Sequence, residues 1–370
     1  LRAFPKLLLR KIKLMAVAEG LTKVMPYAIL SSVIALQKPA RPATGGIPAG
    51  VPFFTKGVFF MSKPFLTYEQ QIALLKGKHL IIANEEYAQK TLSQIGYFSL
   101  IGGYKHPFKN KTTRMYRDGV TFEDIVSLYT FDESLRHLFL RYLLMVERNI
   151  KTRVAYVFCN AHGDLQAEYL NVNSYTSTPA KQNDVKRLVQ TLSRLATQPT
   201  DYPYINHHQN CHHNVPLWVL INAVTFGSVS KMFSLLQQSL QSQICRDFPL
   251  NTRQMDQILS VLTKYRNACA HGERLFSYTT RDDIPDLPLH AKLHISKNGS
   301  QYIHGKHDLF AVVIAFKYLL PSQVFIAFKK ALAKEIDLFC NNCAALSQTE
   351  LLAEMSFPSN WKTITRYSRL

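Results

Sequence analysis

Apolar side chains recur at steps of three and four residues through most of the chain from Thr67 onward. That spacing places them on one face of an α-helix. A short alternating piece at residues 292–295 predicts a small β-hairpin. The pattern therefore predicts a mainly α fold. Its helices are expected to begin at Thr67, Thr121 and Pro216 and to span about residues 85–95, 131–158, 180–197, 231–240, 308–319 and 322–339, with a break at residues 226–228.

The clearest helix is predicted around residue 260. Asn251 and Thr252 are candidate N-caps before it, and Gly272 suits a left-handed C-cap after it. His271 is then expected on the last turn, where the negative end of the helix dipole favours a protonated imidazole. Tyr265 continues the apolar face and is expected in the core. That face consists of Met255, Ile258, Leu259, Leu262, Tyr265 and Cys269.

This helix ends in an R-x-x-x-x-H pattern formed by Arg266 and His271. A guanidinium binds a phosphodiester and an imidazole moves a proton near neutral pH, which together suffice to cleave RNA without a metal. Asn267 shares a face with His271 and is a candidate to orient it. Arg266 lies about 140° around the helix from His271, so either its side chain reaches round or a second copy of the chain completes the pair. The pattern is short, and an Arg and a His on a solvated helix end are the plainer alternative.

Charge points to a polyanionic partner. The chain has 370 residues, 47% of them hydrophobic, and a formal net charge of +19. Nucleic acid or an anionic membrane surface would complement that charge, although a solvated basic surface with no partner is also compatible with it. A basic run at residues 105–117 either lines an RNA path or is a solvated loop. The predicted RNA contacts are Lys264, Arg274, Lys105, Lys109, Lys111 and Arg114.

The cysteine and histidine patterns indicate no metal site and no cofactor. The six cysteines are scattered, which favours reduced thiols over a disulfide framework. Cys340 and Cys343 form one C-x-x-C pair, but no second pair stands at zinc-finger spacing. The histidine-rich residues 207–213 lack carboxylates and defined ligand spacing, so a polar loop is favoured there over a metal site.

Residues 1–60 differ from the rest of the chain. They contain nine Lys and Arg against one acid, Glu19, and they are rich in proline. The apolar stretch from Leu14 to Leu36 is interrupted by Lys23 and Pro26, so a membrane span is not expected and a membrane-associated effector is the weakest alternative. Met61 resembles a natural start, and residues 1–60 are then an unpacked or untranslated upstream extension. Without them the net charge is still +11, because nine minus one removes only eight charges.

The remaining chain is expected to divide into three parts. Residues 61–115 form an N-terminal helical module, residues 116–345 a helical domain, and residues 346–370 a C-terminal tail. Within the helical domain, Glu147, Arg148, Lys151 and Arg153 are predicted to form a solvated charged face. Glu273 could pair with Arg266 or Arg274, although a surface ion pair is favoured.

Several motifs, in one order over residues 63–361, resemble the Abi-like family of bacterial abortive-infection proteins of the AbiD/AbiF type. Taken together they are far more specific than the R-x-x-x-x-H hexamer alone. The motifs are Lys63-Pro64-Phe65-Leu66-Thr67, Ile95-Gly96-Tyr97-Phe98 with Gly103-Tyr104, Leu128-Tyr129-Thr130-Phe131-Asp132 with Leu135-Arg136, Val146-Glu147-Arg148-Asn149-Ile150-Lys151, Pro216-Leu217-Trp218 with Phe226-Gly227, Arg266 through Phe276, and Phe357-Pro358 with Trp361.

The resemblance implies a HEPN-type helical bundle with an N-terminal helical module, since this family belongs to the HEPN superfamily. It further implies a metal-independent endoribonuclease toxin of phage defence, located in the bacterial cytoplasm. HEPN domains commonly pair, so a homodimer is expected in which Arg266 and His271 of two chains face each other. Some relatives are accompanied by a small structured RNA. The alternative from another class is a non-catalytic RNA-binding protein that holds such an RNA.

Overall fold

A computed structural model describes residues 64–367, which belong to one compact unit. As predicted, this part is mainly helical with one two-stranded antiparallel sheet. The domain boundaries predicted at 115/116 and 345/346 lie inside this unit and stay predictions. The prediction that residues 1–60 are an upstream extension lies outside the described residues.

The elements are α1 (Tyr68–Lys76), α2 (Glu85–Ile95), α3 (Phe122–His162), α4 (Gln166–Leu170), α5 (Gln182–Thr197), α6 (Pro203–His207), α7 (Leu217–Leu220), α8 (Phe226–Leu235), α9 (Gln238–Cys245), α10 (Thr252–Ala270), α11 (Pro288–Lys292), β1 (Lys297–Asn298), β2 (Gln301–Tyr302), α12 (Leu309–Leu319), α13 (Ser322–Asn342) and α14 (Gln348–Glu354), with π turns at Phe98–Gly102 and His208–His212 and 3-10 turns at His106–Phe108, Val172–Ser174, Pro179–Lys181 and Trp361–Arg366.

The longest element, α3, covers 41 residues, and several other helices pack against it. Thr121 caps it: the Thr121 hydroxyl accepts from the Asp124 N–H, and the Asp124 carboxylate accepts from the Thr121 N–H. The sequence pattern predicted two helices here, one from Thr121 and one over residues 131–158. They are a single helix because no Gly or Pro interrupts residues 122–162. Helices α7, α8, α9, α10 and α13 all pack against it.

The break predicted at residues 226–228 is wrong, because α8 begins there. Thr225 is its N-cap, with a hydroxyl that accepts from the Ser228 N–H at 3.2 Å. A Cβ at Gly227 would lie 3.4 Å from the Thr263 methyl of α10. Gly227 therefore faces α10 in the first turn of α8, and it does not end a helix. The predicted helix over residues 231–240 is split between α8 and α9.

The predicted hairpin exists, but it lies five residues further along the chain. Lys297 pairs with Tyr302 and Asn298 with Gln301. Gly299, with φ of 61°, begins the two-residue turn, where a positive φ is needed. The alternation at residues 292–295 comes instead from Leu293 and Ile295, which are buried in the loop after α11.

The core lies around α12, which is buried on nearly all sides. Ten of its eleven residues are buried, and it contacts α3, α10 and α13. Its N-cap is the buried Asp308, whose carboxylate accepts from the Ala311 N–H. Among residues 64–367, no helix has both the length and the apolar character that crossing a bilayer requires.

Candidate active site

Helix α10 begins and ends as its local sequence predicts. Asn251 is the N-cap, and its side chain exchanges hydrogen bonds with Gln254 in a capping box. At the other end the Glu273 N–H donates to the Ala268 carbonyl at 3.0 Å, and Gly272 adopts a left-handed φ of 71°. These contacts form a Schellman cap. His271 is the C-cap residue, one position beyond the last helical turn, and its side chain is exposed.

The Arg266 guanidinium is held by a buried carboxylate from α3. Its Nε donates to the Glu147 Oε2 at 3.1 Å, and the Lys151 Nζ lies 2.9 Å from the other oxygen, Oε1. Glu147 is only 5% exposed, whereas the Arg266 side chain is 30% exposed. The Glu147 carboxylate therefore positions both Arg266 and Lys151. Some of the N–H donors of the Arg266 guanidinium remain exposed to solvent.

The predicted solvated charged face on α3 is therefore wrong for Glu147, and Lys151 is half-buried. Arg148 is exposed as predicted, and Arg153 pairs with Asp247 at 2.5 Å. The periodicity of the sequence could not distinguish the buried Glu147 from the exposed Arg148, because α10 covers one part of this face of α3 and leaves another part exposed to solvent.

The loop that follows His271 is tied to α3 through Asp132. This carboxylate is fully buried and accepts from the backbone N–H groups of Leu275 and Phe276, at 3.0 and 2.6 Å. It also accepts from the Tyr104 hydroxyl at 2.7 Å and from the Arg136 Nη1 at 2.6 Å. Burial raises the pKa of Asp132, although these donors oppose that rise. The anchored loop determines where the chain leaves α10, and thereby positions His271.

A cleft of about 680 Å³ lies beside this loop. Gly272, Glu273 and Arg274 form one wall, and the π turn at Phe98–Gly102 contributes to the other. The Arg274 Nη1 donates to the Gly103 carbonyl at 2.7 Å, which joins the two walls. Glu273 makes no side-chain ion pair with Arg266 or Arg274 among the described residues, so the pairing considered from the sequence does not form.

The other predicted RNA contacts differ in their surroundings. Lys264 pairs with Asp282 at 2.5 Å. The Lys109 Nζ donates to the Arg114 carbonyl and lies over the Tyr116 ring, and burial lowers its pKa. Lys111 and Arg114 are exposed, whereas Lys105 is half-buried. The basic run therefore presents only part of its charge to solvent, and its contact with RNA stays a prediction.

No cysteine or histidine cluster in the described part of the chain forms a metal site. In the histidine-rich segment the Cys211 Sγ lies 3.5 Å from the His207 Nδ1, and the rings of His207, His208 and His212 pack edge to face or tilted. Within the motif helix, burial raises the pKa of Cys269 to about 12, so that thiol stays protonated and is no nucleophile. Tyr265 is buried as predicted and donates to the Tyr278 carbonyl.

The supporting roles of Glu147, Asp132 and Arg136 were not predicted from the sequence. A signal was present: all three lie in motifs that carried the family resemblance. Asp132 and Arg136 are four residues apart, the spacing of a helical ion pair. Glu147 contacts Arg266, which is 119 residues away in the chain, and Asp132 contacts Phe276, which is 144 residues away.

Comparison with known protein families confirms the Abi-like family, without its AbiD/AbiF type. The family model described as Abi-like protein matches residues 90–277 of this 370-residue chain. The match includes α3, α10 and the loop after His271. It therefore contains both partners of the Arg266–Glu147 ion pair and of the hydrogen bonds from Leu275 and Phe276 to Asp132. No curated protein and no solved structure matches the sequence.

Proposed function

Because the chain belongs to the Abi-like protein family, we propose that it is a metal-independent endoribonuclease toxin that acts in abortive infection, and that its helical unit is of the HEPN type. The family itself connects the chain with phage defence. The observation that carries the nuclease proposal is the arrangement at the end of α10. There a half-exposed Arg266 held by the buried Glu147 precedes an exposed His271 at the cap.

The reaction follows from these two groups and from the chemistry of RNA. The 2′-oxygen attacks the adjacent phosphorus, and a neutral imidazole takes the 2′-OH proton. The P–O5′ bond breaks, and a protonated imidazole gives its proton to the leaving 5′-oxygen. Arg266 stabilises the charge that develops on the phosphoryl oxygens. The products are a 2′,3′-cyclic phosphate and a 5′-hydroxyl.

Two histidines serve this scheme better than one, because one must be neutral while the other is protonated. The sequence contains a single R-x-x-x-x-H pattern. A homodimer in which two α10 ends face each other would supply both imidazoles. The position of His271, exposed beyond the last turn of α10, leaves it accessible to a second chain.

The purified protein should cut single-stranded RNA in the presence of excess EDTA and leave the equivalent DNA intact, since DNA lacks the 2′-hydroxyl. Mass spectrometry of the fragments should show 2′,3′-cyclic phosphate or 3′-phosphate ends and 5′-hydroxyl ends. Cleavage that leaves 5′-phosphate ends, or that stops when EDTA is added, would contradict the proposed mechanism.

Glu147 is expected to act as a positioning residue. Glu147→Ala should lower kcat by about a hundredfold with a smaller change in KM, because Arg266 then loses the carboxylate that orients it. Glu147→Gln, which keeps an acceptor for Arg266, should have an intermediate effect. The matched control is Asp247→Ala. It removes the exposed carboxylate that pairs with Arg153, a residue of α3 like Glu147. A folded Glu147→Ala variant with unchanged kcat would exclude this role.

The second candidate function is a non-catalytic protein that holds a small structured RNA. The exposed cations Lys111 and Arg114 favour it, since phosphate contacts alone give affinity with a steep dependence on salt. That protein would bind RNA and leave it intact, and His271→Ala would not alter binding.

A further inference from the structure

A second cleft, of about 620 Å³, lies between the C-terminal part of α3 and the short helix α7. Its lining includes Thr152, Tyr156 and Cys159 from α3, and Trp218 and Asn222 from the other side. Its volume is in the range of small-molecule pockets. It contains neither Arg266 nor His271, so it is distinct from the candidate active site.

Two aromatic side chains are unusually exposed here. Tyr156 is 72% exposed and Trp218 is 48% exposed. The neighbours of Trp218 in α7, Leu217 and Leu220, are buried in the core. The backbone of α7 is therefore anchored while its indole faces the cleft. Burial raises the pKa of the Cys159 thiol, which also lines the cleft, and the lining includes one acid, Asp164.

The cleft is connected to the Arg266 site by a continuous set of contacts. The Lys151 Nζ lies 3.4 Å from the Asn222 carbonyl at the wall of the cleft, and 2.9 Å from the Glu147 carboxylate. The other oxygen of that carboxylate holds Arg266. Glu147 and Lys151 of α3 therefore link the wall of this cleft to the Arg266 guanidinium.

An exposed cation and an exposed aromatic ring lie about two turns apart on α3. Arg148 is exposed and makes no ion pair within residues 64–367. Thr152 comes one turn later, with its hydroxyl on the Arg148 carbonyl, and Tyr156 one turn after that. Eight residues from Arg148 to Tyr156 span about 12 Å at 1.5 Å per residue. A cation followed by aromatic rings complements the phosphates and bases of a single strand.

We propose that the Tyr156–Trp218 cleft is a stacking site for an unpaired base of single-stranded RNA, whose adjoining phosphates lie on Arg148 and Arg266. This inference rests on the proposed function in that RNA is the ligand. Every base has a π face, so the site selects an unpaired strand rather than a particular sequence. A duplex does not enter, because its bases are stacked on one another.

Trp218 is itself the reporter for the test. The chain has two tryptophans, and the other, Trp361, is buried at 1% exposure. Full-length protein carrying His271→Ala, which binds the strand without consuming it, is titrated with a short oligoadenylate RNA. Tryptophan fluorescence should be quenched on binding, and a Trp218→Phe variant should lose that signal. An RNA duplex of the same length should quench far less.

Affinity, measured by anisotropy of a labelled oligoadenylate, should fall roughly tenfold in Trp218→Ala and in Tyr156→Ala. Trp218→Phe, which keeps a ring, should retain most of the affinity. The matched control is Tyr204→Ala, which removes a tyrosine that is 39% exposed elsewhere on the surface and should bind like the parent. Tyr156 is so exposed that its truncation tests the site even if Trp218→Ala fails to fold.

The proposal is overturned if wild-type protein cuts RNA while the oligoadenylate neither quenches Trp218 nor binds more weakly to the folded Tyr156→Ala and Trp218→Ala variants. It is also overturned if these substitutions change the oligomeric state and leave RNA affinity intact, since a second copy of the chain would then occupy the cleft. A third outcome separates the two proposals. If the oligoadenylate quenches Trp218 and binds more weakly to the variants, but the wild-type protein never cuts RNA, the stacking site is supported and the nuclease is excluded.

Discussion

Replacing His271 by alanine should lower the rate of RNA cleavage by about 10²- to 10⁴-fold, the usual contribution of a general acid or base. In the proposed reaction this imidazole takes the proton of the 2′-hydroxyl or gives a proton to the 5′-oxygen. The fold should remain intact, because the side chain is exposed and makes no hydrogen bond or ion pair within residues 64–367. The measurement is the initial rate on a fluorescent RNA, with circular dichroism to show that the helical content is unchanged.

The control for this substitution is His137→Ala. His137 is also exposed on a helix, in the middle of α3, and has no place in the proposed reaction. Its removal should leave both the rate and the fold as they are. Induction of each variant in cells adds a second readout, since the toxicity of the wild type should disappear with His271 and persist without His137. A purified His271→Ala protein that cuts RNA at the wild-type rate would refute the catalytic assignment.

Replacing Asp132 by alanine should cost about 3–5 kcal/mol of unfolding free energy, because it removes the nearest and only buried carboxylate that pairs with the buried Arg136 among the described residues. The Arg136 side chain is only 9% exposed and lies 2.6 Å from this carboxylate. The backbone N–H groups of Leu275 and Phe276 and the Tyr104 hydroxyl also lose their acceptor. The loop after His271 is then free to move, so any folded fraction should cut RNA slowly. Urea unfolding followed by circular dichroism measures the first effect.

The matched control is Glu133→Ala, which removes the neighbouring acid on the same helix. Glu133 is 45% exposed and lies 3.8 Å from the same arginine, so its loss should cost at most about 1 kcal/mol. Tyr104→Phe removes a single hydrogen bond to Asp132 and should cost about 1 kcal/mol. If Asp132→Ala were as mild as either of these, the carboxylate would not be the anchor of the loop.

Much of the candidate site was predictable because its local geometry depends on residues close together in the chain. Asn251 and Gln254 cap the start of α10, and Gly272 supplies the left-handed residue at its end. The apolar spacing determines which face of α10 is buried. These signals are short-range, so they locate Arg266 and His271 on one helix and at its end without any knowledge of the rest of the fold.

Other features could not be predicted in this way, since they depend on which helices meet. The predicted break at Phe226 was wrong because the sequence does not show that Gly227 lies against Thr263 of α10. The hairpin was displaced because Leu293 and Ile295 alternate in a loop that the core happens to bury. In both cases the local pattern was real, but tertiary packing determined its meaning.

By itself, the sequence determined the helical class, the caps of α10 and the spacing of its arginine and histidine, since hydrogen bonds and side-chain periodicity within a few residues suffice for these. Only the tertiary structure decided that Glu147 holds Arg266 and that Asp132 anchors the loop beyond His271. Those partners are 119 and 143 residues apart in the chain. A carboxylate on a long amphipathic helix has the same local pattern whether it faces water or an arginine of another helix, and only the packing of α3 against α10 distinguishes the two.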